Sequence, residues 1–264
     1  MTPYRDPGGQ PSVLICSGLD PSGGAGFIAD VRVAQLLATR PIGVITATTV
    51  QNTTAVLGSV ALAPDTIREQ LELVLSDVEV HAVKIGMIGS SEIAVAIAAA
   101  LALTNAPVVW DPITYPSRGD IAFVDSLFGR ALAALAPHVT VLTPNARELA
   151  FLVGRPIEGV PEGVAAGMSL AQRLGTAVLV KGGHLGSDDS TDTLCRADGP
   201  ITLRGPRIAR GEEVHGTGCA LSTAIAAHLA RGADLVEACR AAKAFVAERI
   251  ANAVHPGRGA AAIV

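Results

Sequence analysis

The sequence has few aromatic residues, few lysines and no long apolar segment. Only 3% of its 264 residues are aromatic although 49% are hydrophobic, so we expect a core of Ala, Val, Leu and Ile. The longest apolar stretch, residues 93–103, is too short to span a bilayer and is largely alanine. The net charge of -4 gives no reason to expect nucleic acid or an anionic membrane surface as a partner.

Cysteine is also sparse, and the spacing of the four cysteines does not match a metal-binding motif. The four cysteines form no CxxC pair and no metal-like cluster with histidine, so neither a zinc site nor a disulfide scaffold is expected. Residues 1–10 are polar, contain proline and glycine, and lack the apolar core of a signal peptide. We therefore predict a soluble, cytoplasmic protein in which residues 1–10 are flexible.

Short apolar runs alternate with amphipathic segments along the chain. The runs are typical of buried strands and lie at residues 12–17, 42–47, 82–85, 108–110, 139–142 and 177–180. With helical patterns between them, they predict one α/β domain over residues 1–264, a three-layer α/β/α fold with a mostly parallel central sheet. Residues 56–62 predict a small β excursion from that sheet. Residues 191–196 and 201–203 predict a β-hairpin across Asp198-Gly199.

Polar residues follow many of the predicted strands. The carboxyl ends of parallel strands lie along one edge of a sheet, and ligands bind in the crevice there. We therefore expect one site to gather the residues at these strand ends, together with Met87: Asp20, Gln51, Asp111, Asn145, Glu148 and Lys181.

Residues 214–219, with the sequence Val-His-Gly-Thr-Gly-Cys, precede an apolar helical run. Gly216, Thr217 and Gly218 stand where the first backbone N–H groups of a helix have no helical acceptor, which predicts an anion-binding cradle. Cys219 would lie in the first turn, where the pKa of a thiol is most easily lowered. A plain helix start, with glycines for close packing, is the alternative interpretation.

These residue types together suit phosphoryl transfer. Asp111 and Glu148 supply the oxygen ligands that Mg²⁺ prefers, and Lys181 supplies a charge for nucleotide phosphates. The cradle would stabilise the charge on the transferred group, and Cys219 is a candidate general base for the acceptor hydroxyl.

Seven segments together resemble the hydroxymethylpyrimidine/phosphomethylpyrimidine kinases of thiamine biosynthesis, which belong to the ribokinase-like superfamily. They are DPSGGAG at 20–26, TVQNT at 49–53, KIGMI at 84–88, DP at 111–112, TPN at 143–145 with Glu148, VKGGH at 180–184 and HGTGCALS at 215–222. The resemblance covers nearly the whole chain. It implies that ATP and Mg²⁺ are used to phosphorylate the hydroxymethyl group of 4-amino-5-hydroxymethyl-2-methylpyrimidine, and then its monophosphate, to the pyrophosphate.

The resemblance also implies how the site is divided and how the protein assembles. The implied pyrimidine pocket comprises Asp20, Gly24, Gln51 and Met87. The implied anion hole comprises Gly216, Thr217, Gly218 and Cys219, with Cys219 as base or phosphate contact. Asp111 and Glu148 would act on Mg²⁺, Lys181 and Asn145 on ATP, and residues 207–214 would flank the nucleotide. A homodimer is expected because relatives are commonly dimers.

Some features leave alternatives open. A pyridoxal kinase shares the fold, the ATP site and a hydroxymethyl acceptor, and a non-catalytic pyrimidine-binding relative is a third hypothesis. Relatives often carry Lys-Ser-Gly where this chain has Pro116-Ser117-Arg118-Gly119, which leaves the role of that loop open. We expect Cys16 to be buried, Asp30 to be solvated, His215 to orient or cap rather than catalyse, and Lys84 to lie outside the catalytic set.

Overall fold

The computed structural model describes residues 9–115, 123, 126–183, 190–209 and 211–263. Its strands are β1 (Ser12–Leu19), β2 (Arg40–Gln51), β3 (Val56–Ala61), β4 (Ala82–Ile85), β5 (Val108–Trp110), β6 (Val141–Leu142), β7 (Ala177–Val180), β8 (Ser190–Arg196), β9 (Gly199–Gly205), β10 (Val214–His215) and β11 (Ala261–Ala262). Its α-helices are α1 (Gly26–Leu36), α2 (Pro64–Asp77), α3 (Ser91–Leu101), α4 (Phe128–Leu135), α5 (Ala146–Val153), α6 (Val160–Leu174), α7 (Thr217–Ala230) and α8 (Leu235–Ala251). None of these helices has both the length and the apolar character that crossing a membrane requires.

Nine of the strands form one sheet in the order β3-β2-β1-β4-β5-β6-β7-β8-β9. The six strands from β2 to β7 in this order are parallel, whereas β3 runs antiparallel to β2 and the β8–β9 hairpin antiparallel to β7. β10 and β11 form a separate parallel pair. The mostly parallel sheet predicted from the strand–helix alternation is confirmed.

The two faces of the sheet are covered by different helices. Along β1, Val13 and Ile15 pack into the core beneath α1, α7 and α8, whereas Leu14 and Cys16 pack into the core beneath α2 to α6. This alternation follows from the two-residue period of a strand, since successive side chains point to opposite faces. The three-layer α/β/α arrangement is therefore confirmed, and Cys16 is buried as expected.

The element boundaries depart from the predictions mainly where packing extends a strand or helix. β2 runs to Gln51, beyond the predicted residue 47, because its outer half pairs with β3. β3 stays hydrogen-bonded to β2 and forms one edge of the main sheet. The sequence pattern also predicts helices over residues 124–135 and 164–174. The second corresponds to α6, which begins earlier, at Val160, with proline in its first turn, where the missing N–H costs no helical hydrogen bond. The first corresponds to α4, which begins at Phe128, and residues 124–125 lie outside the described residues.

Candidate active site

A cavity of about 580 Å³ opens at the carboxyl edge of the parallel strands. This volume is typical of a small-molecule site. Of the twelve site residues predicted from the sequence, eleven line this cavity: Asp20, Gln51, Met87, Asp111, Asn145, Glu148, Lys181, Gly216, Thr217, Gly218 and Cys219. Residues separated by up to 199 positions thus face one cavity, because each lies at or shortly after the carboxyl end of a strand or at the start of α7.

Lys181 joins two carboxylates at the centre of the cavity. Its Nζ lies 2.9 Å from Asp111 Oδ1 and 3.7 Å from Glu148 Oε2. Burial lowers the pKa of Lys181, but the charges of Asp111 and Glu148 outweigh this effect and raise it. Lys181 is therefore a fixed cation, suited to exchange its carboxylate partners for phosphate oxygens.

Glu148 is fixed by the local fold of the first turn of α5. Asn145 Oδ1 accepts from the Glu148 backbone N–H at 2.9 Å, and Glu148 Oε2 accepts from the Asn145 N–H at 2.8 Å. This is a reciprocal capping box, which the Asn-x-x-Glu spacing encodes. Burial raises the pKa of Glu148 to about 7, with Lys181 lowering it and Asp111 raising it.

The donor set around Asp111 fits a magnesium ion that also binds nucleotide phosphates. Among the described residues, Lys181 and Thr143 both donate hydrogen bonds to Asp111 Oδ1. Asp111 Oδ2 lies on the side of Gly218, 3.5 Å from where a Cβ of that residue would be. In the described part of the chain, no three His, Cys, Asp or Glu side chains are grouped to enclose a metal. Mg²⁺ does not require such a group, because it retains waters and needs one or two carboxylates besides the phosphates.

The anion cradle is built by the start of α7. Gly216 has φ +83°, and a Cβ there would lie 2.0 Å from the Gly24 carbonyl oxygen, so the turn requires glycine. The Ala220 N–H bonds back to the Gly216 carbonyl at 2.9 Å, which leaves the preceding N–H groups, those of residues 217–219, outside the helical ladder. The helix dipole makes this position favourable for an anion.

Cys219 lies in this first turn but is not a poised thiolate. Burial raises the pKa of its thiol to about 12, although the nearby Lys84 charge and the Gly26 N–H act in the opposite direction. The expectation that the helix N-terminus would lower this pKa is wrong, because the side chain is 8% exposed and desolvation dominates. In the ligand-free protein the thiol is therefore protonated at neutral pH.

Asp20 organises the opposite half of the cavity. Its carboxylate accepts from Ser22 N at 2.8 Å and Ala25 N at 3.0 Å, and its Oδ2 lies 3.3 Å from His215 Nε2. Burial raises the pKa of Asp20, but hydrogen bonds from His215, Ser22 and Gln51 outweigh it and lower the pKa to about 2. Asp20 thus shapes the turn before α1 and also holds His215 and Gln51 in the cavity.

Gly24 is placed differently from the other predicted pocket residues. It packs behind the cavity wall, where a Cβ would lie 3.0 Å from His215 Cδ2 and 3.7 Å from Asp20 Oδ2. The position allows the close approach of the turn before α1 to the turn before α7. A direct contact between Gly24 and a pyrimidine stays a prediction.

The three lysines of the chain all line the cavity, and sequence reasoning identified only one of them. Lys84 is fully buried against Asp30, so the expectation that Asp30 is solvated is wrong. Lys243, on α8, lies 2.7 Å from Asp192 Oδ2. The signal available in the sequence was the scarcity of lysine itself, since arginine serves nearly every other basic position.

The mouth of the cavity carries further residues that the sequence patterns did not single out. The Arg147 guanidinium carbon lies 4.1 Å from the centre of the Tyr115 ring, a cation–π geometry.

Of the predicted nucleotide-flanking segment, Arg207, Ile208, Gly211 and Val214 line the cavity. The loop of residues 116–119, whose role the sequence left open, lies outside the described residues.

Comparison with known proteins gives a consistent family. The family model for phosphomethylpyrimidine kinase matches residues 20–264. The chain is 38% identical to a hydroxymethylpyrimidine/phosphomethylpyrimidine kinase of Rhizobium meliloti, over 93% of this chain and 94% of that one. It is 37% identical to the enzyme of that name from Streptomyces coelicolor, over 98% and 96% of the two chains.

Solved structures agree in fold and extend the comparison to a second kinase. The pyridoxal kinase of Staphylococcus aureus in complex with ADP matches with a TM-score of 0.88 and 29% identity, over 97% of this chain and 94% of that one. The phosphomethylpyrimidine kinase of Clostridium difficile matches with a TM-score of 0.77 and 32% identity, over 91% and 99%. The resemblance seen in the sequence is confirmed, and this chain belongs to the phosphomethylpyrimidine kinase family.

Proposed function

We propose that this protein transfers a phosphoryl group from ATP to the hydroxymethyl group of 4-amino-5-hydroxymethyl-2-methylpyrimidine. A second transfer, to the monophosphate, gives the pyrophosphate used in thiamine biosynthesis. Family membership and the relatives named above support the reaction and its substrate. The ADP complex of the related pyridoxal kinase supports ATP as the phosphoryl donor.

The observation that carries the proposal is that Lys181, Asp111 and the first turn of α7 lie close together at Gly218. A Cβ placed on Gly218 would lie 3.3 Å from Lys181 Nζ and 3.5 Å from Asp111 Oδ2. The first turn of α7 therefore lies against both the lysine and the carboxylate. Backbone N–H groups and fixed cations aimed where charge develops provide the main stabilisation in phosphoryl transfer.

The roles of the residues follow from this placement. Lys181 holds a nucleotide phosphate, Asn145 flanks it, and the N–H groups of Thr217, Gly218 and Cys219 hold the group in transfer. Asp111, with Glu148 beside it, would bind Mg²⁺, which supplies charge neutralisation on the phosphates when bound.

On the acceptor side, Gln51 can both donate to and accept from an aminopyrimidine edge, and Asp20 fixes its orientation. Cys219 is the candidate for the group that takes the hydroxyl proton. Because burial keeps this thiol protonated in the ligand-free protein, the base role requires that the thiol lose its proton to solvent when the substrates bind, and the thiolate then takes the hydroxyl proton. Alignment of the alcohol with the phosphoryl group then carries much of the rate.

The direct test is coupled ATP turnover with three acceptors: the pyrimidine alcohol, its monophosphate and pyridoxal. Turnover of both pyrimidines, with pyridoxal poorer by at least about tenfold in kcat/KM, is the expected result. A Lys181→Met variant should bind the alcohol normally and lose turnover. Higher kcat/KM on pyridoxal would reverse the assignment, and tight binding without turnover would indicate the non-catalytic relative.

The pyridoxal kinase alternative has one specific observation in its favour. A pyridoxal complex of the Staphylococcus aureus kinase matches this chain with a TM-score of 0.86, higher than the 0.77 of the Clostridium difficile pyrimidine kinase. Fold similarity does not choose between acceptors, because the pocket side chains decide them. The acceptor comparison above therefore decides this alternative too.

We further propose a homodimer formed through the edge strand β3. Leu57 is 74% exposed and Val60 63%, on opposite faces of the edge strand β3, and Val50 of the neighbouring β2 is 56% exposed. Such edges are normally covered or charged. Light scattering should give about twice 26.8 kDa, and Leu57→Lys/Val60→Lys should give the monomer. A monomeric wild-type protein would contradict this.

We also keep two predictions from the sequence as part of the proposal. The chain should act as one domain, since both halves of the cavity are formed by the same sheet. A cytoplasmic location suits a biosynthetic kinase that depends on ATP.

A further inference from the structure

A fully buried ion pair lies beside the anion cradle, and none of the roles assigned above uses it. Lys84 Nζ, on β4, is 2.5 Å from Asp30 Oδ2, on α1, and both side chains are 0% exposed. Ser17 donates to Oδ2 at 2.7 Å, and Thr223, on α7, donates to Oδ1 at 2.7 Å. The Asp30 carboxylate thus accepts from three elements, and the pair cannot reorient without breaking these contacts.

The pair is polarised with respect to the cavity. Lys84 is one of the described residues that line the cavity, whereas Asp30 and Thr223 are not. Gly86 leaves room for the ammonium group, since a Cβ there would lie 2.7 Å from Lys84 Nζ. Lys84 is therefore the member of the pair that borders the cavity, and Asp30 lies behind it.

The charge of Lys84 is maintained and acts on the reacting groups. Burial lowers the pKa of Lys84, but Asp30, Cys219 and Asp111 outweigh burial and raise it. In turn, the charge of Lys84 opposes the effect of burial on Cys219. Lys84 thus interacts electrostatically with Cys219, on the acceptor side, and with Asp111, on the nucleotide side.

Fold stability alone does not account for this arrangement. A buried ion pair gains little over a well-packed apolar pair, because both ions lose their hydration. A cation facing a site where negative charge develops is worth more, because it needs no reorganisation during the reaction and water does not screen it.

We propose that Lys84 is a positioning residue for phosphoryl transfer: held by Asp30, it maintains a positive potential at the cavity wall beside Cys219 and the start of α7. This inference rests on the proposed function. The fixed charge favours the transition state, in which negative charge spreads over the transferred group. Substrate binding depends on it much less, because Lys181 and Gln51 make the binding contacts.

The kinetic test compares Lys84→Met with Lys84→Met/Asp30→Asn, which leaves no unpaired buried charge. We expect both to lower kcat by about 30-fold or more while each KM changes less than about threefold. Thr39→Val is the control, because Thr39 is equally buried, donates to the Ala34 carbonyl at 2.8 Å and does not line the cavity. A folded double variant with kcat within about threefold of wild type would show a structural role only and overturn the inference.

A second measurement reports the electrostatic potential at Cys219 and does not require enzyme turnover. The ratio of Cys219 alkylation rates with anionic iodoacetate and neutral iodoacetamide, followed by peptide mass spectrometry, reports the local charge. We expect Lys84→Met to lower this ratio about fivefold and Thr39→Val to leave it unchanged. An unchanged ratio in Lys84→Met would contradict the inference. If instead the wild type phosphorylates no acceptor, the proposed function fails while this ratio still tests the charge.

Discussion

At the scale of single residues, burial changes what a side chain can do more than its sequence position does. Cys219 stands at a helix N-terminus, yet desolvation raises its pKa to about 12. Asp20 is also buried, yet its hydrogen-bond donors bring its pKa down to about 2. The difference is the number of donors that each buried group receives.

The role of Cys219 is tested by Cys219→Ala. If the Cys219 thiolate takes the acceptor proton, kcat should fall about 100-fold with little change in KM for either substrate. Cys239→Ala is the matched control, because Cys239 is buried in α8 outside the cavity lining and should affect stability alone. Equal kcat values in the two variants would reduce Cys219 to a packing residue.

The Asp20 network predicts a pH-dependent contribution to stability. Because the pKa of Asp20 in the folded protein is below the ordinary value of 3.8 for an aspartate, the stabilisation is present above about pH 4 and lost as the pH falls towards 2. Asp20→Asn should therefore cost about 2 kcal/mol in urea unfolding at pH 7, and the cost should shrink at pH 3. Asp65→Asn, an exposed carboxylate of α2, is the control. A cost that does not vary with pH would rule out this contribution.

At the scale of elements, the start of α7 is the part on which the site depends most. It contacts the turn after β1 through Gly24 and Gly216, and faces the ends of β5 and β7 through Gly218. The sequence predicts a helix that begins at this turn, and α7 does begin there, because a glycine-rich turn followed by a long apolar run is a strong local signal. The sequence could not show that three turns meet there, since this depends on the strand order.

Three glycine-to-alanine variants separate backbone strain, packing and chemistry. A Cβ at Gly232 would have no heavy atom within 4 Å, but the residue has φ +89°. Gly232→Ala should therefore lower the free energy of unfolding by about 1 kcal/mol through its backbone conformation alone. Gly216→Ala adds a clash with the Gly24 carbonyl and should cost several times more.

Gly218→Ala, by contrast, should keep the melting temperature while lowering kcat/KM for ATP about tenfold or more, since its methyl group would lie between Lys181 and Asp111. Thermal unfolding and steady-state kinetics of the three variants measure these effects. Normal ATP kinetics in Gly218→Ala would place the transferred phosphate elsewhere.

At the scale of the whole molecule, the C-terminal segment joins the two halves of the cavity. Ala260 N donates to the Thr53 carbonyl at 2.9 Å, close to Gln51 in the chain, and β11 pairs with β10, which carries His215. Arg249 Nε also donates to the Ile263 carbonyl at 3.1 Å. The end of the chain therefore fixes the pyrimidine side relative to the cradle.

Deletion of residues 260–264 should raise KM for the pyrimidine about fivefold or more, because His215 loses the strand that holds it near Asp20. KM for ATP should change little, since Lys181 and Asp111 are held by other elements. Ala262→Pro is the companion variant with the chain length kept, because it removes the bond from Ala262 N to the Val254 carbonyl. Unchanged pyrimidine KM in both variants would show that β11 does not support the pocket.

The sequence by itself determined the alternation of strands and helices, the polar residues at the strand ends and the glycine turn before α7, because each is a local pattern. Tertiary structure decided which of these patterns meet: Thr223 reaches Asp30 across 193 positions, and Lys84 reaches it across 54. It also decided the protonation of Cys219, since desolvation depends on what packs around a group. Such contacts arise only when separate elements share one core, and no local pattern encodes them.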